Sequence, residues 1–273
     1  MEKRPDSIER FIRMCSDGWK MGWHECHGGN LTYRMKEEEI QEIENDIPSP
    51  WIPLGQTLKN LANECFLVTG SGKSMRNAEI YPKETFGIVR VSENGDSYRI
   101  IWGLENGGRP TSELPAHLMC QSVKKEVTKG KHRIVYHAHP ANVIALSFVL
   151  PLKDEIFTRE LWEMEPECAM IFPNGMGVLP WMVPGTKEIA ELTCEKMKEY
   201  DVVLWAQHGL FVTGETFDEA FGLMNTVEKG AEILVRVLSM TPVKRQTPSV
   251  ENFREMGEIF HLHLPEKFLY QKG

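Results

Sequence analysis

The chain has 273 residues, 41% of them apolar, which is enough to bury a substantial core without disulfide staples. Its net charge of −8 argues against a nucleic-acid partner, which would need clustered Lys and Arg on one face, but a small anion can still be held by a few backbone amides. The cysteines, Cys15, Cys26, Cys65, Cys120, Cys168 and Cys194, form no C-x-x-C pair and fit buried free thiols in a reducing, cytoplasmic compartment.

Ile8, Phe11, Ile12, Cys15 and Trp19 recur every three to four residues, which predicts an amphipathic helix ending at a glycine turn before Gly28-Gly29. A short extended segment follows at Leu31 to Tyr33. The acidic run Lys36 to Asp46 has few apolar anchors and reads as a solvated excursion. Three strands are expected at Glu64 to Thr69, Phe86 to Ser92 and Tyr98 to Trp102, the last two joined as a hairpin by an Asn94-Gly95 turn. Leu114, Leu118, Val123 and Val127 mark a helix over Ser112 to Thr128, with Thr111 or Ser112 as its N-cap and Pro115 tolerated in the first turn.

Arg133 to Tyr136 reads as a buried strand running into His137-Ala138-His139-Pro140, where Pro140 opens a helix to Leu150. A helix near Ile156 to Met164, a strand Cys168 to Phe172 and a helix Thr186 to Tyr200 come next. Strands Val202 to Ala206 and Leu210 to Thr213 flank Gln207-His208-Gly209, and Thr216 N-caps a long, largely buried helix to Met240. The longest apolar stretch, Val143 to Leu152, is too short to span a bilayer, and the segment MEKRPDSIERF lacks the apolar core of a secretory signal. With no repeat and no Pro/Gly/Ser-rich linker, residues 1–273 are expected to form one mixed α/β domain, with a peripheral tail from about residue 245.

His137-x-His139 closes an apolar strand, where alternate residues face the same way and two imidazoles converge on one ion. His208 sits at a second strand end, followed by a glycine that lets the backbone turn away. Three neutral imidazoles suit Zn²⁺ or another borderline divalent ion, with a fourth position open for catalysis. A lone histidine is more often an ordinary core or surface residue, but three at strand ends reverse those odds. His24, His27, His117, His132, His261 and His263 have no such placement. Glu113, in the first turn behind Thr111-Ser112, is the carboxylate singled out, against the plain reading of a helix-capping glutamate. His117, one turn further, is placed to support it, although packing or exposure is the plainer role. Gly28-Gly29-Asn30 and Thr69-Gly70-Ser71-Gly72-Lys73 are small-residue turns able to present amides to an anion, though neither is a P-loop and tight turning explains each as well.

Together GGNLT (28–32), FLVTGSGK (66–73), GRPTSELPAH (108–117), VYHAHPANVIAL (135–146), LWEMEPEC (161–168), GVLPWMVPGT (177–186) and LWAQHGLFVTG (204–214) resemble the class II aldolase family, and within it the branch acting on L-rhamnulose 1-phosphate. The resemblance runs in order from the first helix to Met240. It implies a three-layer α/β/α fold with a mainly antiparallel central sheet, a cytoplasmic homotetramer and one Zn²⁺ per subunit. It also implies that His137, His139 and His208 bind zinc, that Glu113 is both a resting-state ligand and the catalytic acid/base, and that Gly29, Asn30, Gly70, Ser71, Thr111 and Ser112 hold a phosphate. The implied reaction is retro-aldol cleavage of the C3–C4 bond to dihydroxyacetone phosphate and L-lactaldehyde, in rhamnose catabolism. Glu167 matches an acidic position that a neighbouring subunit contributes, and is assigned the proton of the C4 hydroxyl; a surface glutamate is the plain alternative. His27 departs from the family, which has asparagine before Gly-Gly-Asn, and is expected to bear on sugar preference. Alternative functions are an aldolase or epimerase of another phosphoketose, such as L-fuculose 1-phosphate or a pentulose phosphate, metal-assisted hydrolysis, or a non-catalytic adducin-like interaction protein.

Overall fold

Short runs rich in Val, Leu, Ile, Phe and Tyr give strands that pair into one open sheet in the computed structural model, which describes residues 5–43 and 49–270. The strands are β1 (Asn30–Arg34), β2 (Ile52–Pro53), β3 (Cys65–Thr69), β4 (Phe86–Val91), β5 (Ser97–Gly103), β6 (Ile134–Ala138), β7 (Gly177–Leu179), β8 (Val202–Trp205) and β9 (Gly209–Gly214). Their order is β2-β5-β4-β3-β1-β6-β9-β8-β7, and only the β7–β8 pair is parallel. The helices are α1 (Asp6–Lys20), α2 (Glu37–Gln41), α3 (Pro82–Thr85), α4 (Leu114–Val127), α5 (Ala141–Leu146), α6 (Asp154–Trp162), α7 (Pro166–Ile171), α8 (Lys187–Met197), α9 (Phe217–Met240) and α10 (Val250–Ile259).

Every residue of β1, β3, β6, β8 and β9 is buried, so the sheet is covered on both faces. On one face Leu31, Leu67, Tyr136, Leu204 and Val212 pack with Phe11 of α1, Leu161 of α6 and Met224 of α9. On the other, Phe66, Val68 and Val89 meet Leu114 and Leu118 of α4, while Val135, Val203 and Phe211 meet Ile189 and Met197 of α8. The result is the three-layer α/β/α arrangement with a mainly antiparallel sheet.

The central strands match the sequence expectation closely, including the β4–β5 hairpin, whose Gly95 has φ of +73°. Several other expectations change. Cys168 to Phe172 is not a strand: Pro166 opens helix α7, and Cys168, Ala169 and Phe172 bury one helical face while Ile171 is exposed. The helix after Pro140 stops at Leu146, four residues early. The acidic run forms the short helix α2, and its end at Asp46 lies outside the described residues. The tail is not peripheral, because Phe253, Leu264 and Phe268 join the main core and the Phe268 ring meets Trp162 edge-on at 5.3 Å between centroids. Strands β2 and β7 and helix α3 form where the sequence pattern predicts no element, and helix α10 lies in the tail, whose sequence has helical character. Of the six cysteines, Cys26 is exposed and the other five are buried, and none forms a disulfide among the described residues.

Antiparallel pairing places the starts of β1 and β9 on the same sheet rim as the ends of β3, β6 and β8. Asn30 pairs with His137, and His137 with Phe211, so the β6 end is central to that rim. An isolated bridge between Gly70 and Pro110, with the Thr111 amide donating to the Thr69 carbonyl at 2.8 Å, brings the start of α4 to the same place.

Candidate metal centre

His137 is the last residue but one of β6, on the face covered by α4 and α8, stacked on Phe211 at 4.3 Å between ring centroids. His139 lies two residues on, beyond the last paired residue of β6. His208 is in the tight β8–β9 turn rather than on a strand end, and β9 separates β8 from β6. Gln207 has φ of +57°, and its amide and side-chain nitrogen donate to the Ser147 hydroxyl at 2.8 Å and carbonyl at 2.7 Å. Those two bonds pin the turn against the end of α5.

The three rings form a near-equilateral set, with centroid separations of 5.0, 4.9 and 5.1 Å. Their candidate ligand nitrogens all lie within 4.8 Å of one another. The His137 Nδ1 donates to the Leu210 carbonyl at 2.9 Å, and His139 Nδ1 donates to Glu25 Oε1 at 2.6 Å. His137, neutral through its burial, is then left with an unprotonated Nε2, which faces His139 Nε2 at 3.3 Å. That lone pair needs a proton or a metal cation on the side facing His139. A buried His208 Nδ1 has no hydrogen-bond partner either. Burial holds His137 well below the usual histidine range and His208 down to about 4, with nearby His139 acting in the same direction, so these two rings are neutral. The donor set therefore fits a borderline divalent ion such as zinc.

Gly209 does not have the turning role expected of it. It is needed because the chain passes too close for a side chain: a Cβ there would lie 2.9 Å from His139 Cδ2 and 3.1 Å from His137 Cε1. Gly28 is similarly confined, since a Cβ would lie 2.9 Å from His139 Nδ1. Gly29, at φ of +73°, takes a conformation that favours glycine.

Glu113 is the N-cap residue of α4, one position before the expected first turn, and its side chain makes no cap bond. Its Oε2 instead accepts from Asn30 Nδ2 at 2.8 Å. Burial raises its pKa above the usual carboxylate value, while the Asn30 bond and nearby His139 pull the other way. The helix-capping reading of Glu113 is thereby replaced by a carboxyl group beside the histidine cluster.

The other predicted residues divide. Gly29-Asn30, Gly70-Ser71 and Thr111-Ser112 come to one rim, but the amides of Gly70, Ser71 and Thr111 already donate to the carbonyls of Thr85, Arg109 and Thr69, each at 2.8 Å. Those three amides are therefore committed within the fold, contrary to the expected presentation to an anion, whereas the Ser71 and Ser112 side chains are exposed. His27 is exposed beside Gly28, and Glu167 is exposed in the first turn of α7. Sequence reasoning missed Glu25, which lies 114 residues from the histidine it holds. It also undervalued His117, which is fully buried. Only the GGNLT and SELPAH motifs themselves pointed toward their surroundings.

The sequence matches the Class II Aldolase and Adducin N-terminal domain over residues 9–235. The chain belongs to the class II aldolase and adducin family. Within the class II aldolases, the rhamnulose-1-phosphate aldolase of Mannheimia succiniciproducens is 47% identical over 255 residues, covering 93% of each chain. That of Escherichia coli O157:H7 is 46% identical over 255 residues, again covering 93% of each. Among solved class II aldolase structures, a sugar-phosphate aldolase from Thermotoga maritima superposes with a TM-score of 0.75 at 28% identity, over 89% of this chain and 97% of that one. The L-fuculose-1-phosphate aldolase of Thermus thermophilus, at 22% identity and a TM-score of 0.55 over 88% of this chain and 97% of that one, shares the fold.

Proposed function

We propose that this chain is a lyase that reversibly cleaves L-rhamnulose 1-phosphate to dihydroxyacetone phosphate and L-lactaldehyde, a step of rhamnose breakdown. The observation that carries the reading is the cluster of His137, His139 and His208, whose candidate ligand atoms lie within 4.8 Å of one another, beside a half-buried glutamate not spent on capping. Identity of 45–47% to rhamnulose-1-phosphate aldolases over 93% of the chain supports the substrate. That support outweighs the readings as another phosphoketose enzyme or an adducin-like interaction protein.

His137, His139 and His208 would hold the ion, zinc in our reading, with Glu113 as a further ligand at rest. A divalent ion there supplies a Lewis acid for the ketose carbonyl. Glu113 moves the proton: once the C3–C4 bond breaks and its electron pair stays with the C3 half, the carboxyl group delivers a proton to C3, and in synthesis it removes that proton. Its raised pKa suits a group that must carry the proton in one half of the cycle. The rim where Gly29-Asn30, Gly70-Ser71 and Thr111-Ser112 meet holds the phosphate, through groups such as the exposed Ser71 and Ser112 side chains rather than the committed amides, so binding energy remote from the reacting carbons orients them. The C4 hydroxyl gives up its proton as the aldehyde forms. Glu167 is our assignment for that proton, reaching the site from another subunit of a homotetramer, and its exposure leaves it open to such a role. His27 beside Gly28 would bear on sugar preference. We place this single-domain enzyme in the cytoplasm; no helix among the described residues is long and apolar enough to cross a membrane.

The test is release of dihydroxyacetone phosphate from L-rhamnulose 1-phosphate by the zinc-loaded protein in a coupled assay. Rapid release, abolished by a chelator and restored by zinc, is expected. Silence from folded, metal-bound protein would move the assignment to another phosphoketose.

A further inference from the structure

A continuous hydrogen-bond chain runs behind Glu113, through residues the proposed reaction does not use. Gln121 Nε2 donates to the Arg133 carbonyl at 2.8 Å, which only a donor can meet, and to Thr32 Oγ1 at 3.2 Å. Thr32 Oγ1 contacts His117 Nδ1 at 3.1 Å. His117 Nε2 makes a very short contact with Asn30 Oδ1, and Asn30 Nδ2 donates to Glu113 Oε2 at 2.8 Å. Thr32, His117 and Gln121 are fully buried, and Asn30 is 7% exposed.

With His117 neutral in its fully buried position, the polarity of this chain has one solution. A carboxamide that gives its N–H to Glu113 presents only an oxygen to His117, so His117 must carry its proton on Nε2. Its Nδ1 is then an acceptor, and Thr32 must point its hydroxyl proton there, leaving its lone pairs to Gln121. From Gln121 through Thr32, His117 and Asn30, each bond donates toward the carboxylate. Bonds aligned in this way polarise one another, and burial keeps water from breaking them. The Phe211 ring, 5.4 Å from His117 between centroids, packs beside the imidazole and also stacks on His137. The same aromatic side chain thus steadies the relay and the metal cluster.

We propose that His117 is a positioning residue for Glu113: by locking the Asn30 carboxamide it holds one carboxylate oxygen in place and leaves the other to exchange the substrate proton. The inference rests on the reading of Glu113 as the acid/base. With His117 unable to donate, the Asn30 amide is free to rotate by half a turn, and an oxygen facing Glu113 would repel the carboxylate instead of holding it. Asn30, which the sequence suggested as a phosphate contact, therefore has its side chain occupied at both ends.

The test compares His117→Phe, which keeps a packed ring but has no donor, with His117→Gln, whose side-chain N–H can replace Nε2–H. In the zinc-loaded protein, His117→Phe should lower kcat about 10- to 100-fold, the usual loss when an outer partner is removed, with KM changed less than about threefold. Exchange of the C3 proton of dihydroxyacetone phosphate with solvent, without aldehyde, should fall in parallel, and His117→Gln should recover most of both. Selective ¹⁵N-histidine NMR of the unmutated protein should find His117 as the neutral Nε2–H tautomer. An Nδ1–H tautomer, or a His117→Phe variant with unchanged kcat and exchange, overturns the proposal. Equal loss in both variants with loss of bound zinc also overturns it, by making the role one of folding. Glu113→Gln separates the two readings: full proton exchange in that variant sinks the role of Glu113 itself, whatever tautomer His117 adopts.

Discussion

Gly209 lies against His139 so closely that a methyl group on its α-carbon would sit 2.9 Å from the His139 ring and also press on the Ala138 carbonyl oxygen. The backbone there can yield little, because Gly209 is paired to Trp205 across the β8–β9 hairpin. Gly209→Ala should therefore displace the imidazoles, weakening zinc at least about tenfold and costing about 1–3 kcal/mol of stability by overpacking. Chelator competition and urea unfolding measure the two effects. Zinc affinity equal to that of the parent protein would mean that the cluster tolerates the shift.

Glu25 orients His139 by accepting from its Nδ1, the arrangement in which a carboxylate behind a ligating histidine sets its tautomer and basicity. Its side chain is 65% exposed, so solvent weakens the effect. Glu25→Gln should lower zinc affinity about tenfold, the lower end of such effects, with an unaltered circular dichroism spectrum. An unchanged affinity would assign Glu25 to the surface.

Glu113 and His139 should fail in different ways. Glu113→Gln keeps the side-chain shape and three imidazoles, so zinc should stay while aldol cleavage falls at least about 100-fold, as when an acid/base group is lost. His139→Ala should lose both metal and activity. Metal analysis of the two purified variants, beside the coupled assay, distinguishes them, and a fully active glutamine variant would exclude proton transfer by this carboxyl group.

The strands that build the site were legible because each is a short apolar run ended by turn residues, and His137-x-His139 declared itself by its place on such a run. Cys168 to Phe172 looked the same, but five apolar residues do not distinguish strand from helix, and the deciding signal was Pro166 two positions ahead. β7 has only three residues, too few for any period. The polar partners were hidden for a different reason. Glu25 and His139 are 114 residues apart, and Asn30 and His117 are 87 apart, so only the sheet order brings them together. Position singles out Glu113, but not whether it caps the helix, because the direction of a side chain is not written in helical spacing.

Phe268 makes the tail part of the fold. Its ring is fully buried against Trp162, and a Cβ on Gly175 would lie 2.6 Å from its Cε2, a measure of how tightly that pocket closes. Phe268→Ala should cost about 3–5 kcal/mol, as for other fully buried aromatic residues. Urea unfolding checks this, and a loss below about 1 kcal/mol would return the tail to the periphery.

Acid should destabilise the metal-free protein through its buried histidines. Burial lowers His24 to about 4 and His117 to about 3, against about 6.5 for an unfolded histidine. His24 is held by Tyr136 at 2.6 Å and by the Gly28 carbonyl at 3.1 Å, and His117 by the relay, so neither ring readily turns out to meet solvent. Between these values and 6.5 the unfolded chain binds more protons than the folded one, so stability rises with pH. It is fully present above about pH 6.5 and is lost progressively as pH falls through the folded values, by up to about 1.4 kcal/mol per histidine per pH unit. Urea unfolding in chelator at pH 7.5, 6.5, 5.5 and 5.0 should follow that course, with a shallower decline in His117→Gln. Equal slopes in the two proteins would mean that His117 is protonated in the fold despite its burial.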